Sequence, residues 1–195
     1  MPLTCLHRNE FEDAIHRFIE QSSVLDNPWT CIIAPVVNHS YLARTTQITS
    51  QEPRSMGPDL FVEETVEEID PASSHPHEHS LIITLQHHIV YSPTYQVPVL
   101  YFDAYFLDGA RLTLDEVYSH VVPAVYHRDL LHGSNQGMIT QADHPLLGRP
   151  YWYVHPCETS SLLNTMGADE ENVVKQWLSW VGPLVKCHVP PELFL

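Results

Sequence analysis

Apolar residues near the start of the chain recur at helical spacing. Between residues 6 and 21 they stand three or four positions apart, which predicts an amphipathic helix. Its apolar stripe is Phe11, Ala14, Ile15, Phe18 and Ile19. The polar face carries both signs of charge, so we expect a helix that packs on its own domain and not on a membrane. A second apolar run, from Cys31 to Val37, predicts a strand within residues 29–42, with Pro35 at an edge or a bend.

The most regular strand pattern lies between residues 80 and 106. Residues 80–91 and 95–106 are rich in β-branched and aromatic side chains, and residues 92–94, Ser-Pro-Thr, have the composition of a turn. A second turn is predicted at residues 107–109, Leu-Asp-Gly. This part of the chain therefore predicts an antiparallel hairpin.

The elements after the hairpin predict an α+β domain. Thr113 with Glu116 three residues later matches a capping box, which predicts the start of a helix. We expect residues 138–141 to be short and irregular, residues 150–155 to form an aromatic strand, and residues 168–181 to form a helix with an apolar stripe. The whole order predicts a single domain over residues 1–195, with one central antiparallel β-sheet flanked by helices on one side.

The formal net charge of −15 is unevenly distributed along the 195 residues. Residues 49–80 hold eight acidic residues and one basic residue, Arg54, so this stretch alone contributes −7. Such a segment buries little apolar surface, and we interpret it as a flexible acidic insertion. Basic residues elsewhere are scattered, so phosphate backbones and anionic lipids are unfavourable partners. We expect neither nucleic acid binding nor a stable membrane anchor.

The four cysteines are Cys5, Cys31, Cys157 and Cys187, and no two of them form a Cys-x-x-Cys pair. This spacing favours reduced thiols over a disulfide framework or a zinc site. The first residues lack the apolar segment of a signal peptide, and no run approaches the ~20 apolar residues of a membrane span. We therefore expect a cytoplasmic protein.

Cys157 is the strongest candidate for chemistry. It follows the predicted aromatic strand and Pro156, and polar residues come after it, which favours an exposed thiol. Cys31, inside an apolar run, favours a core position instead. His155, two residues before Cys157, can raise the thiolate fraction or donate a hydrogen bond to an oxyanion. In a strand the two side chains point to the same side only if the extended backbone persists through Pro156.

Other histidines have plainer interpretations. His75, His77 and His79 alternate and can bind a metal ion, but they fall in the acidic insertion, where no scaffold holds them. His87 and His88 are neighbours on a predicted strand, so we expect one ring in the core and the other in solvent.

The residues around Cys157 resemble a signature of a known family. Residues 152–159 read Trp-Tyr-Val-His-Pro-Cys-Glu-Thr, which resembles the His-Pro-Cys motif of the autophagy conjugating enzymes. Residues 91–102 and 112–117 resemble the central hairpin and the following helix of the same enzymes. Thr159 and the 195-residue length fit the autophagy-related protein 10 family better than the longer autophagy-related protein 3 family.

The resemblance implies an E2-like fold and an E2-like conjugating enzyme. Such an enzyme receives the ubiquitin-like autophagy-related protein 12 from the E1-like autophagy-related protein 7. It holds this modifier as a thioester on Cys157 and passes it to a lysine of autophagy-related protein 5. By the same resemblance, His155 and Tyr95 occupy positions that assist the transfer. Because a thiolate is both a good nucleophile and a good leaving group, the reaction needs no metal or organic cofactor.

One departure from the ubiquitin-conjugating enzymes leaves the oxyanion donor open. Those enzymes carry His-Pro-Asn some way before their cysteine, whereas here Cys157 itself takes the third position of the motif. His155 is then a candidate for the missing donor. The sequence also holds only two lysines, Lys175 and Lys186. A carrier of an activated thioester benefits from having few amines that can intercept it.

Three other functions remain open on the sequence. An enzyme of the autophagy-related protein 3 type would transfer the modifier to a lipid. A non-catalytic binding module would bury Cys157 and use the hairpin to add a strand to a partner. A cysteine hydrolase would pair Cys157 with a distant histidine such as His132 or His144.

Overall fold

The computed structural model describes residues 5–35, 37–54, 80–127, 138–169 and 171–194. Within these ranges, six antiparallel strands form one sheet in the order β1-β2-β3-β4-β6-β5. The strands are β1 (Thr30–Ala34), β2 (His39–Ser50), β3 (Leu81–Ser92), β4 (Val97–Phe106), β5 (Ile139–Asp143) and β6 (Pro150–Val154). The α-helices whose bounds lie wholly within these ranges are α1 (Arg8–Ser22), α2 (Leu114–Glu116), α3 (Thr159–Met166) and α4 (Val173–Val181). A π-helical turn, Val117–Val121, continues α2.

The predicted first helix is confirmed as α1, and its apolar stripe is buried except for the half-buried Ile19. The stripe packs through aromatic contacts: the Phe11 and Tyr91 ring centroids are 5.6 Å apart, and those of Phe18 and Trp29 are 6.1 Å apart. The Tyr91 hydroxyl donates to the Leu6 carbonyl at 2.8 Å. The first and last of these contacts fasten α1 and the residues before it to β3, close to the hairpin turn, and the second packs α1 against the residue that precedes β1.

The single strand predicted within residues 29–42 is wrong, because this segment belongs to two strands. The apolar run forms β1, which ends at Ala34, and Pro35 stands in the turn that follows. Asn38, with a φ of 52°, lies in the left-handed region and brings the chain back as β2. Polar residues 43–50 of β2 are ordered by pairing with β3. Thr49 and Ser50, the first residues of the predicted acidic insertion, are therefore strand, and residues 55–79 of that insertion lie outside the described residues.

The predicted hairpin is confirmed as β3 and β4, paired from Ile83↔Phe106 to Ser92↔Val97. Its turn is longer than predicted, because β4 begins at Val97 and leaves Tyr95 in the turn. Both strands have a neighbour on each side in the sheet, so the free edges belong to β1 and β5. β6 covers only the middle of β4, with pairs at Tyr101↔Tyr153 and Phe102↔Trp152.

The predicted capping box at Thr113 is confirmed. The Thr113 N–H donates to the Glu116 carboxylate at 2.8 Å, and the Glu116 N–H donates to the Thr113 hydroxyl oxygen at 3.4 Å. The helix soon widens into the π-helical turn, in which the Val122 N–H donates to the Val117 carbonyl at 3.0 Å. The cap thus marks where the helix begins but not how far it extends.

Two predictions for the C-terminal third are wrong, and one element was missed. Residues 138–141 are not irregular, because β5 pairs with β6 from Ile139↔Val154 to Asp143↔Pro150. The last helix begins at Val173 and not at residue 168. Its predicted first turn is folded differently, since the Asp169 carboxylate accepts the Asn172 N–H at 2.8 Å. Helix α3 has a polar start and was not predicted.

The main core lies between one face of the sheet and the helices. Helices α1, α3 and α4 all contribute to it, which agrees with the predicted arrangement of helices on one side. The opposite face is covered around His88, so the expectation that one of the two neighbouring histidines is exposed is wrong. The His87 ring reaches the Val185 carbonyl at 3.0 Å on the helix side. His88, on the other face, is only 8% exposed because the turn after β5 places His144 against it.

Gly182 follows α4 at a point where two main chains touch, and this contact predicts a sensitivity to substitution. The Cys187 N–H donates to the Gly182 carbonyl at 2.9 Å, and a Cβ on Gly182 would overlap the Cys187 carbonyl oxygen. We expect Gly182→Ala to lower the free energy of unfolding by about 1–3 kcal/mol, measured by urea denaturation. Ser161→Ala on the exposed side of α3 serves as the control and should change it by less than about 0.5 kcal/mol. An unchanged midpoint in Gly182→Ala would show that the contact is looser than described.

Candidate functional site

Cys157 lies at the point where the sheet gives way to a helix. Strand β6 ends at Val154, and the 3-10 turn Pro156–Glu158 connects it to α3. Pro156 has no N–H to donate to a neighbouring strand, so it stops the ladder here. The thiol of Cys157 is exposed, as predicted.

Two of the remaining cysteines are shielded from solvent. Cys187 is fully buried, and this burial raises the pKa of its thiol to about 11. Cys31 is half-buried against the core, and burial raises the pKa of its thiol as well. Because the thiolate is the reactive form, both are poor nucleophiles at neutral pH. Cys5 is exposed like Cys157, so it provides a natural comparison.

His155 caps the turn that carries Cys157. The imidazole Nδ1 of His155 accepts the Cys157 backbone N–H at 3.2 Å. The backbone N–H of His155 donates to the Met138 carbonyl at 2.7 Å. An imidazole that accepts at Nδ1 carries its proton on Nε2 when neutral. In the described part of the chain Nε2 has no hydrogen-bond partner. The extended backbone does not persist through Pro156, so the cap and not the strand geometry brings His155 to Cys157.

The hairpin turn brings Tyr95 to the same place. The Tyr95 and His155 rings meet edge to face, with centroids 5.7 Å apart and planes at 78°. Tyr153 contacts the same imidazole, with a centroid distance of 5.8 Å. The turn is held by the Tyr95 N–H, which donates to the Ser92 hydroxyl at 3.3 Å. All three predicted site residues are therefore neighbours, with His155 contacting both of the others.

An apolar pocket that sequence analysis missed opens beside the turn. We call it the Trp180 pocket; its cavity volume is about 180 Å³. His155, Glu158 and Thr159 line it on the side of the turn. The apolar wall includes Met138, Val154, Leu162, Trp177, Trp180 and Leu184. Trp180 is 62% exposed and stands outside the apolar stripe of α4. A tryptophan off the stripe was the available signal for this pocket.

His144, a candidate partner for Cys157 in a hydrolase, is engaged elsewhere. Its Nε2 lies 3.2 Å from Nδ1 of His88, and its Nδ1 accepts the Leu146 N–H at 3.3 Å. Burial is the main reason that the pKa of His88 falls to about 4 and that of His144 to about 3. Both nitrogens of His144 are occupied, so it cannot serve Cys157 as a base. The other candidate, His132, lies outside the described residues, as do His75, His77 and His79.

The sheet, its helices and the capped turn define an α+β domain that presents one thiol at the end of a strand. The chain belongs to the family described as "Autophagocytosis associated protein, active-site domain", whose model matches residues 10–192. This match covers nearly the whole chain and includes the hairpin, the capped turn and α4.

Three curated relatives are each named ubiquitin-like-conjugating enzyme ATG10. The human protein is 40% identical over 117 residues, which cover 57% of this chain and 52% of that protein. The Dictyostelium discoideum protein is 32% identical over 127 residues, which cover 57% of this chain and 54% of that protein. The Arabidopsis thaliana protein is 35% identical over 115 residues, which cover 54% of this chain and 50% of that protein. The chain thus spans about half the length of the curated relatives it matches. A crystal structure of the autophagic E2 Atg10 aligns over 92% of each chain with 14% identity and a TM-score of 0.40.

Within the described ranges, no helix combines the length and apolar character needed to cross a membrane. The same ranges bring together no group of three or more histidine, cysteine or acidic side chains suited to holding a metal ion.

The buried histidine pair predicts acid sensitivity. The pKa of folded His144, about 3, lies below its ordinary value of about 6.5, so the unfolded chain binds more protons between these values and stability falls as pH falls. On lowering the pH from about 7.5 to about 5, we expect this residue alone to cost about 2 kcal/mol of unfolding free energy. Urea denaturation at both pH values should show a smaller loss in His144→Gln, which keeps hydrogen-bonding capacity without titrating. His16→Gln on the exposed face of α1 should keep the wild-type loss. Equal losses in the two variants would contradict the assignment.

Proposed function

We propose that this chain is an E2-like conjugating enzyme that carries a ubiquitin-like modifier as a thioester on Cys157. The modifier is autophagy-related protein 12, the donor is the E1-like autophagy-related protein 7, and the acceptor is a lysine of autophagy-related protein 5. Family membership supports the class of enzyme, and the curated relatives carry a conjugating-enzyme name. The observation that carries the proposal is the exposed Cys157 in a turn capped by His155. We assign the activity to the cytoplasm, where free thiols persist.

The proposed reaction needs two acyl transfers. In the first, the Cys157 thiolate attacks the carbonyl carbon of the modifier's C-terminal glycine, and the thiolate of the E1-like enzyme leaves. In the second, a neutral lysine amine attacks the same carbon, the isopeptide bond forms and the Cys157 thiolate leaves. Each transfer passes through a tetrahedral oxyanion, and the amine loses one proton to solvent or to a nearby base.

His155 is the proposed oxyanion donor. Its Nδ1 is occupied by the Cys157 N–H, so the proton on Nε2 is free to donate to the developing negative charge. The Tyr95 and Tyr153 rings both contact the imidazole and limit its rotation. A donor that is already oriented needs no reorganisation when the oxyanion forms. Tyr95 therefore acts through His155 as a positioning residue.

The two lysines are consistent with a chain that carries an activated acyl group. Lys175 donates to the Leu193 carbonyl at 2.9 Å, and Lys186 donates to the His120 carbonyl at 2.8 Å. Both amines are engaged with main-chain oxygens, and the sequence contains no other lysine. Few amines are thus available to attack the thioester within the same molecule.

Substitution of Cys157 tests the proposed function most simply. With the E1-like enzyme, modifier and ATP, the wild-type chain should form an adduct that dithiothreitol cleaves. Cys157→Ser should form an oxyester that resists dithiothreitol, and Cys157→Ala should form none, because the alanine side chain offers no nucleophile. Denaturing gels run with and without reductant measure each outcome.

Cys5→Ala, which removes the other exposed thiol, is the matched control and should keep the adduct. An adduct that persists in Cys157→Ala, or a wild-type chain without any adduct, would overturn the enzyme proposal. Chasing the charged chain with autophagy-related protein 5 or with phosphatidylethanolamine vesicles separates transfer to a lysine from transfer to a lipid.

The role of His155 has a separate test in single-turnover transfer. After charging, His155→Ala should pass the modifier to the acceptor lysine about 10²-fold more slowly, because one oxyanion donor is lost. His155→Asn should recover part of the rate, since its amide can donate. His16→Ala, an exposed histidine on α1, should transfer at the wild-type rate. Normal charging and normal transfer in His155→Ala would remove His155 from the mechanism.

A further inference from the structure

We infer that the Trp180 pocket binds an apolar side chain in the C-terminal tail of the modifier, one or two residues before its terminal glycine. This inference rests on the proposed function, because it requires the glycine to be joined to Cys157. Its first support is continuity: His155 and Glu158, on either side of Cys157 in the sequence, both line the pocket. An extended chain advances roughly 3.3–3.6 Å per residue. A tail that leaves Cys157 across these walls therefore reaches the pocket within one or two residues.

The size and lining of the pocket fit a single large apolar side chain. Its volume is about 180 Å³, and an apolar cavity of roughly 150 Å³ is enough for a benzene ring. Leu162, Trp177 and Trp180 supply an aliphatic and two aromatic walls. A leucine, phenylalanine or tryptophan side chain fills such a space, whereas serine leaves it unfilled and alanine fills little of it.

The exposure of Trp180 favours a binding role for this pocket. Trp180 is 62% exposed although it borders an apolar cavity. Exposed aromatic surface beside an apolar pocket marks a binding site more often than a structural one.

The tethered tail is the favoured occupant because the pocket is small. One buried side chain gives a free peptide an affinity weaker than about 1 mM. A tail joined to Cys157 experiences a local concentration in about the millimolar range, so the same contact becomes useful once the thioester exists. An acceptor protein arrives without this tether and needs a larger surface. The pocket would thus hold the tail still while the lysine approaches.

Peptide thioesters test the inference without the E1-like enzyme or the acceptor. The probes are Ala-Ala-Leu-Gly, Ala-Leu-Ala-Gly, Ala-Ala-Phe-Gly and Ala-Ala-Ser-Gly, each as a thioester of mercaptoethanesulfonate. The Cys157 thiolate attacks the glycine carbonyl carbon, the new sulfur–carbon bond forms, and mercaptoethanesulfonate leaves as a thiolate. Intact-protein mass spectrometry measures the charging rate, normalised to the exchange of each probe with glutathione.

Wild-type protein should charge at least about tenfold faster with the best leucine or phenylalanine probe than with the serine probe, because an apolar side chain leaves water. Trp180→Ala and Leu162→Gln should reduce this preference to about twofold or less. Phe194→Ala, which removes an aromatic ring of similar exposure away from the pocket, should retain it. Circular dichroism checks that the variants remain folded.

Equal charging by all probes, or an intact preference in Trp180→Ala, would overturn the inference. If in addition Trp180→Ala slows only transfer to the acceptor, the pocket belongs to the acceptor and the inference is wrong. A parallel reaction with the E1-like enzyme, modifier and ATP separates the two proposals. If the chain charges normally with the E1-like enzyme but shows no preference among the peptide probes, the enzyme proposal stands and the pocket assignment is wrong. No charging by either route removes both.

Discussion

The hydrogen bond from the Cys157 N–H to Nδ1 of His155 joins the fold of this protein to its chemistry. It holds the 3-10 turn at the end of β6, so the thiol stands at a fixed point on the surface and not in a loose loop. It also assigns the neutral imidazole proton to Nε2, the nitrogen left free to donate. A single contact therefore sets the position of the proposed nucleophile and the orientation of its neighbour.

The sheet positions the residues on both sides of this hydrogen bond. Strand β6 lies between β4 and β5. The backbone N–H of His155 donates to the Met138 carbonyl, which continues the β5–β6 pairing by one hydrogen bond. The β3–β4 turn supplies Tyr95, and the residues just before α1 fasten that hairpin, because the Leu6 carbonyl accepts the Tyr91 hydroxyl. The site thus draws on parts of the chain more than sixty residues apart. Its order depends on long-range pairing and not on the local motif alone.

The elements that could be predicted from the sequence are those whose structure is determined by interactions between residues close together in the chain. The stripe of α1, the hairpin and the Thr113 capping box depend on residues a few positions apart, and all were predictable. The polar half of β2 and the whole of β5 were not, because both are ordered by strands distant in sequence. His88 was misjudged for the same reason: His144, fifty-six residues away, covers it.

At the site, Cys157 and His155 could be singled out from the residues around them and Tyr95 from a resemblance, but the cap that relates the first two could not be predicted. The residue types do not reveal which nitrogen of His155 carries the proton. The turn that begins at Pro156 ends the extended backbone that would have placed the two side chains on the same side. Determining the tautomer of His155 is therefore the most direct test of the cap. Long-range ¹H–¹⁵N correlation spectra of the imidazole at neutral pH should show the proton on Nε2, with Nδ1 accepting. A neutral ring protonated on Nδ1 would contradict the cap and the oxyanion role that follows from it.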